Sequence, residues 1–234
     1  MSVSLSAAKE LPPVQHVAKM IDHSLLRPEL TTDEVRSGID LALRYDVATV
    51  TVRPCDASLA VDRVKGSRVG VSAVVGFPHG DQMTETKAQE SQRLVELGCD
   101  ELDMVINISW LRSGRDADVV SDIEHVVRAG VPVKVILETG YLNDEEKVLG
   151  CRLSEQAGAT FVKTATGFGP GGATMEDLRL MWASVGPTVQ VKAAGGVRDL
   201  DKLLAMAAIG VTRFGCTATA AILDDLRLRK ERGE

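Results

Sequence analysis

Short runs of β-branched and apolar residues alternate along the chain with segments whose apolar residues recur every three or four positions. The runs predict strands at 22–26, 47–52, 68–75, 101–107, 133–137, 160–164, 189–193 and 211–215. Between them the helical period is clear. Val119, Ile123, Val126 and Val127 share one face, as do Leu149, Leu153 and Ala157, and Leu200, Leu203, Leu204 and Ala207. Capping residues mark helix starts at Thr84, Asn143, Thr174 (with Asp177 three positions on) and Asp199. Gly98, Gly130, Gly158, Gly186 and Gly210 recur at intervals of 32, 28, 28 and 24 residues, each after a helical segment and shortly before a strand. A glycine there offers the left-handed conformation that ends a helix.

Eight alternating β and α units predict parallel strands with right-handed crossovers. The rival arrangement, an open doubly wound sheet, usually carries a glycine-rich phosphate turn after its first strand. Here that position reads Leu26-Arg27-Pro28-Glu29, no G-x-G-x-x-G occurs, and the glycine-rich turns come late. The expected fold is therefore α/β, a closed parallel (β/α)8 TIM barrel in a single domain. The expected boundaries are a flexible amino-terminal segment at 1–13 and the barrel at 14–234.

Composition narrows the class without changing it. The 234 residues suit one barrel, and 44% hydrophobic with 26% charged residues is the balance of a soluble globular chain. A formal charge of −6 argues against nucleic acid or an anionic membrane as partner, so an anionic ligand needs a local cationic or dipolar pocket. Cys55, Cys99, Cys151 and Cys216 are scattered without a C-x-x-C pair, which suits reduced thiols and a cytoplasmic location. Neither a secretory signal nor a membrane span is expected.

Barrel enzymes carry catalytic groups at the carboxyl ends of their strands. Asp103, Lys163 and Lys192 stand out because apolar neighbours flank each of them. Asp103 and Lys163 both fall five residues after a repeat glycine, on strands four and six, and alternate strands feed one interior layer. Lys192 lies on the neighbouring strand seven. Two amines and one carboxylate that converge are the equipment of imine chemistry. An amine attacks a carbonyl only when unprotonated, and a nearby ammonium together with burial depresses a lysine pKa. Either lysine could do this to the other, with Asp103 shuttling protons. Lys134 and Glu138, on one face of strand five, are expected to form a structural ion pair.

The second constellation is an anion cradle. The loops after strands seven and eight read Gly195-Gly196-Val197-Arg198 and Gly215-Cys216-Thr217, and barrels often hold phosphate at those positions. A third glycine-rich turn, from Gly167 and Phe168 to Gly172, follows Lys163. The histidines have no metal-ligand spacing, so neither a metal nor another cofactor is expected; His23 and His79 are expected to pack or assist.

Six segments in order resemble one family, deoxyribose-phosphate aldolase: Ile21-Asp22-His23-Ser24-Leu25-Leu26, Val74-Val75-Gly76-Phe77-Pro78-His79-Gly80, Asp100-Glu101-Leu102-Asp103-Met104-Val105-Ile106-Asn107, Phe161-Val162-Lys163-Thr164-Ala165-Thr166-Gly167-Phe168-Gly169, Val191-Lys192-Ala193-Ala194-Gly195-Gly196-Val197-Arg198 and Arg213-Phe214-Gly215. The resemblance implies a class I, cofactor-independent aldolase that cleaves 2-deoxy-D-ribose 5-phosphate reversibly to acetaldehyde and D-glyceraldehyde 3-phosphate. It also implies Lys163 as the Schiff-base residue, Lys192 as the amine that perturbs it and Asp103 as the proton-transfer acid. Asp22, Ser24, Thr164, Gly167 and Phe168 would lie near substrate. Three features depart from the family. Its usual paired serines, in a run like G-T-S-S-G after the last strand, fall on Thr217 and Ala218 of Gly215-Cys216-Thr217-Ala218-Thr219, Thr51 replaces a common cysteine, and the tail lacks a terminal tyrosine. The changed serine pair keeps open an aldolase that prefers another or unphosphorylated aldehyde; a catalytically silent sugar-phosphate-binding barrel is the remaining alternative. Expected partners are small sugar phosphates and aldehydes, with a homodimer as one assembly open to the chain.

Overall fold

The computed structural model describes residues 11–233. A short helix α1 (Val14–Ala18) leads into β1 (Ile21–Leu25), and the alternation then runs α2 (Thr32–Tyr45), β2 (Thr49–Val52), α3 (Ala57–Val64), β3 (Gly70–Val75), α4 (Thr84–Glu96) and β4 (Glu101–Val105). It continues through α5 (Ile108–Arg112), α6 (Asp116–Val127), β5 (Val133–Ile136), α7 (Asp144–Gln156), β6 (Phe161–Lys163), α8 (Met175–Ser184), β7 (Gln190–Ala194), α9 (Leu200–Ala207), β8 (Arg213–Cys216) and α10 (Thr219–Glu231). The strands pair in sequence order, all parallel, and β1 closes on β8. This is a closed (β/α)8 TIM barrel. The expected flexible segment at 1–13 lies mostly outside the described residues. Among the described residues, no helix is long and apolar enough to cross a membrane.

Alternation along each strand separates two environments. Val50, Val52, Val71, Ala73, Leu102, Met104, Val133, Val135, Val162, Val191 and Phe214 face outward and pack with Val35, Ile39, Val119, Ile123, Leu178, Leu203 and Ile222 of the helices. That outer layer is the hydrophobic core. The inward positions are unusual for a barrel, whose interior is commonly filled by branched apolar side chains. Here Asp22, Thr49, Thr51, Ser72, Asp103, Lys134, Lys163 and Lys192 are all buried at inward positions. Buried polar groups usually persist by satisfying one another, and all of these do except Thr51, whose hydroxyl has no partner among the described residues.

The structure corrects several local expectations. Helices α7, α8 and α9 start as expected, with Asn143, Thr174 and Asp199 accepting the backbone N–H three residues on. Thr84 does not cap α4; its hydroxyl donates to Asp122 at 2.9 Å, across to α6. Gly98, Gly130, Gly158 and Gly210 are left-handed, but Gly186 is not. Its N–H donates to Glu155 at 2.9 Å, and a Cβ there would lie 2.5 Å from that carboxylate, so close approach requires the glycine. The strands are shorter than expected: β2 begins at Thr49, β3 at Gly70, and β4 ends at Val105.

Candidate active site

The inward residues of six strands form one charged layer. The strand register sets Asp103 beside Lys134 and Lys163 beside Lys192. Asp103 is the hub. Its Oδ2 accepts from Lys163 and Lys192, each at 2.7 Å, while its Oδ1 accepts from Lys134 at 2.8 Å and Ser72 at 2.9 Å. Asp22 is the second hub, accepting from Lys192 at 2.5 Å, Arg213 at 2.7 Å and Thr49 at 2.8 Å. Glu101 closes the layer towards the amino-terminal end, 2.5 Å from Lys134 and 3.1 Å from Arg213. Gly215 makes room for this crossing, because a Cβ on it would sit 3.3 Å from Lys192 Cε and 3.1 Å from Ala194.

The charges do not balance when all are ionised. Lys134, Lys163, Lys192 and Arg213 face Asp22, Glu101 and Asp103, so one cation is in excess. The surplus falls on Lys163. Burial pushes its pKa down to about 8, and the ammoniums of Lys192 and Lys134 push the same way against the opposing pull of Asp103. Burial would also lower Lys134, but the carboxylates of Asp103, Asp22 and Glu101 more than offset it and raise its pKa. Burial alone would raise Asp22 and Asp103, yet the surrounding cations hold both well below the usual carboxylate range. When Lys163 is neutral the layer has three charges of each sign.

Above this layer, at the carboxyl ends of the strands, lies a cleft of about 170 Å³. Ser24, Lys163, Gly167, Phe168, Gly195, Gly196, Val197, Arg198, Gly215 and Thr217 line it, so most of the residues expected near substrate converge. Of the four interior cations only Lys163 reaches this surface. Asp22, Asp103 and Lys192 sit below it, almost fully buried. Thr164 does not line the cleft either. Its hydroxyl donates to Ala194 O at 2.8 Å and accepts Ala194 N–H at 2.9 Å, clamping the end of β6 to that of β7. Among the described residues no carboxylate lines the cleft, whereas Arg27 and Arg198 do, so a local cationic pocket exists on an acidic protein. A roomier hollow of about 450 Å³ at the other end of the barrel, against Trp182, Pro187 and Gly210, has no ionisable side chain in its wall. Size does not locate the chemistry here.

Several functional neighbours were not anticipated. Glu101 and Arg213 complete the charge layer, Lys134 pairs with Asp103 and Glu101 instead of Glu138, and Arg27 and Thr166 line the cleft. The period-two rule contained the first three, since each shares its inward face with a residue already singled out. Lys202 is one more, donating to Gly196 O at 2.8 Å beside the anion cradle. Thr219 does not replace the missing serine: its hydroxyl is buried against His23 Nδ1 at 2.8 Å. That leaves Thr217 as the hydroxyl of this loop in the cleft. His23 packs there, its pKa lowered to about 4 by burial, and Cys216 is raised to about 11 by burial, so neither is set up as a base or nucleophile.

Comparison with known proteins finds relatives along nearly the whole chain. The DeoC/LacD family aldolase signature matches residues 17–223. A deoxyribose-phosphate aldolase of Caldanaerobacter subterraneus is 45% identical over 222 residues, covering 93% of this chain and 96% of its own. One from Streptococcus gordonii is 48% identical over 207 residues, covering 88% and 94%. Among solved structures, the tetrameric deoxyribose phosphate aldolase of Aeropyrum pernix superposes with a TM-score of 0.85 at 27% identity, covering 92% of each chain.

Proposed function

The chain belongs to the DeoC/LacD family of aldolases, and from that premise we propose that it cleaves 2-deoxy-D-ribose 5-phosphate reversibly through an imine on Lys163. The observation that carries the assignment is that Lys163 is the one interior cation on the cleft and the one whose proton the charge layer can lose. Neutral Lys163 attacks the aldehyde carbon of the open-chain sugar, and loss of water gives the imine. The imine nitrogen draws electrons as the C2–C3 bond breaks. The C3 hydroxyl proton leaves, glyceraldehyde 3-phosphate departs, and the two-carbon enamine remains. Protonation at C2 and hydrolysis release acetaldehyde and restore Lys163.

Asp103 is the carboxylate nearest the reacting nitrogen, 2.7 Å from it, and it also bonds Lys192 and Ser72. A proton passed among these groups need not leave the barrel, which suits an acid that must serve both directions. Lys192 acts through charge, since its ammonium disfavours the protonated form of Lys163. The phosphate is assigned to Gly195, Gly196, Val197, Arg198, Gly215 and Thr217, where backbone N–H groups, one hydroxyl and a guanidinium meet without a competing carboxylate. The same lining favours this reading over an aldolase for unphosphorylated aldehydes. A homodimer and a cytoplasmic location belong to the proposal as well, and sedimentation of the purified chain tests the first.

The discriminating experiment compares kcat/KM for deoxyribose with and without the 5-phosphate. The phosphorylated sugar should be preferred by well over tenfold; equal values reject the phosphate site. Ala218→Ser, which restores a hydroxyl, should lower KM for the phosphorylated sugar by no more than roughly tenfold and leave the plain sugar unchanged.

A further inference from the structure

Glu138 follows β5 at the mouth of the barrel, and it is out of place by ordinary rules. It is one of two non-glycine residues with positive φ among the described residues. The other, Asp46, ends helix α2, a common use of that conformation. Glu138 has φ 56° with no helix to end, and a side chain held there is strained unless the surroundings demand it. It is also a buried carboxylate, 2% exposed, with no salt bridge among the described residues.

Its partners explain the position. Both carboxylate oxygens accept the N–H of Thr166, at 3.2 and 3.3 Å, and one accepts the Thr166 hydroxyl as well. That hydroxyl in turn accepts the N–H of Phe168 at 3.0 Å. The backbone on either side of Glu138 engages the same stretch: Leu137 N–H donates to Lys163 O at 2.9 Å and Thr139 N–H to Thr164 O at 3.0 Å. Gly169 lies directly on the carboxylate, where a Cβ would come within 2.8 Å of Glu138 Cδ. The segment from Lys163 to Gly169 is therefore held at Lys163, Thr164, Thr166 and Gly169 by Leu137, Glu138 and Thr139, just past β5. Thr166, Gly167 and Phe168 from this segment form one wall of the cleft. The N–H groups of Thr166 and Phe168 are both occupied, whereas that of Gly167 between them has no acceptor among the described residues.

We infer that Glu138 is a positioning residue whose carboxylate latches the β6–α8 loop at Thr166, fixing the cleft wall beside Lys163 and leaving the Gly167 N–H for substrate. The inference rests on the proposed use of this cleft by a sugar phosphate. A buried anion suits the task because a backbone N–H and a hydroxyl both donate to it, and such bonds are shorter and stronger than neutral ones. The strained backbone aims the carboxylate across to β6, as strain at functional sites commonly does.

Two variants separate the latch from bulk stability. Glu138→Gly keeps the backbone conformation, which glycine adopts freely, and removes the carboxylate; Thr166→Val keeps the shape and removes the hydroxyl. In both, the amides of Thr166 and Phe168 should exchange with deuterium at least tenfold faster, while amides in β4 and β7 stay as in wild type. KM for deoxyribose 5-phosphate should rise at least tenfold. The rate of borohydride-trapped imine formation with acetaldehyde, which needs only Lys163, should change less than threefold. Thr166→Ser, which keeps the hydroxyl, should restore KM to within threefold of wild type. Unchanged exchange at Thr166 and Phe168 overturns the latch, as does a parallel fall in imine formation and substrate affinity. Accelerated exchange in a protein whose wild type forms no imine would instead reject the proposed function and leave the latch standing.

Discussion

Lys87 and Lys163 are both buried, one in each layer of the barrel, and both lose basicity to burial. Lys87 on α4 is 0% exposed and donates to Asp122 of α6 at 2.6 Å and to Val105 O at 3.1 Å. Burial lowers its pKa, and the Asp122 carboxylate pulls the other way. Lys163 is 3% exposed and feels the same desolvation. The difference lies in company and access. Lys87 has one carboxylate to itself, with the Thr84 hydroxyl on that carboxylate's other oxygen. Lys163 shares Asp103 with two other ammoniums and opens on a cleft. Burial alone makes a structural ion pair; burial, a shared counter-ion and an open face are what support the proposal of Lys163 as the nucleophile.

The same substitution at the two sites should have opposite consequences. Lys163→Met should abolish cleavage, roughly 10⁴-fold or more in kcat, because the covalent route is gone. The folded pKa of Lys163, about 8, is depressed from 10.5, so the charged form is disfavoured in the native state and protonation there costs stability at pH 7. That cost fades as pH rises from about 8 towards 10.5. Lys163→Met should therefore be no less stable than wild type at pH 7. Lys87→Met should instead lose about 3–5 kcal/mol, since it strands Asp122 in the interior. The fraction that stays folded should keep kcat within twofold of wild type. Urea melts paired with assays at matched folded fraction check both halves.

Asp103→Asn should cost on the order of 10²–10⁴ in kcat by removing the proton relay. It should also move the acid limb of the pH–rate profile to lower pH, because the Asp103 charge holds the Lys163 pKa up. Lys192→Met should act in the other direction. Losing that ammonium raises the Lys163 pKa and frees Asp103 to raise it further, so the acid limb moves up by about one pH unit. Turnover at pH 7 then falls roughly tenfold, with recovery in more alkaline buffer. Shifts of the same sign in the two variants would remove the electrostatic account of Lys163.

The barrel was legible because glycine period, strand composition and helix caps at Asn143, Thr174 and Asp199 point the same way. Asp103, Lys163 and Lys192 were legible because a charge inside an apolar strand has to be paired or used. What escaped is long-range. Nothing near Glu138 in the chain says that it accepts from Thr166, 28 residues on, or that Lys134 turns to Asp103 and Glu101 rather than to Glu138. The buried pair Lys87–Asp122 was invisible for the same reason: on an amphipathic helix a lysine reads as solvated, and only the packing of α4 on α6 removes the water. The turning of Thr219 towards His23 is long-range as well, joining the first residue of α10 to β1 across 196 positions.

Trapping with sodium borohydride and acetaldehyde, followed by peptide mapping, tests the central claim most directly. A free amine that reaches the cleft should be captured as a stable ethyl adduct. Lys163 should carry the label in nearly every modified molecule, with Lys192 and Lys87 unmodified despite their burial, and labelling should rise with pH through about 8 as Lys163 gives up its proton. A label on Lys192, or full turnover in an enzyme that cannot be trapped at Lys163, would contradict the account.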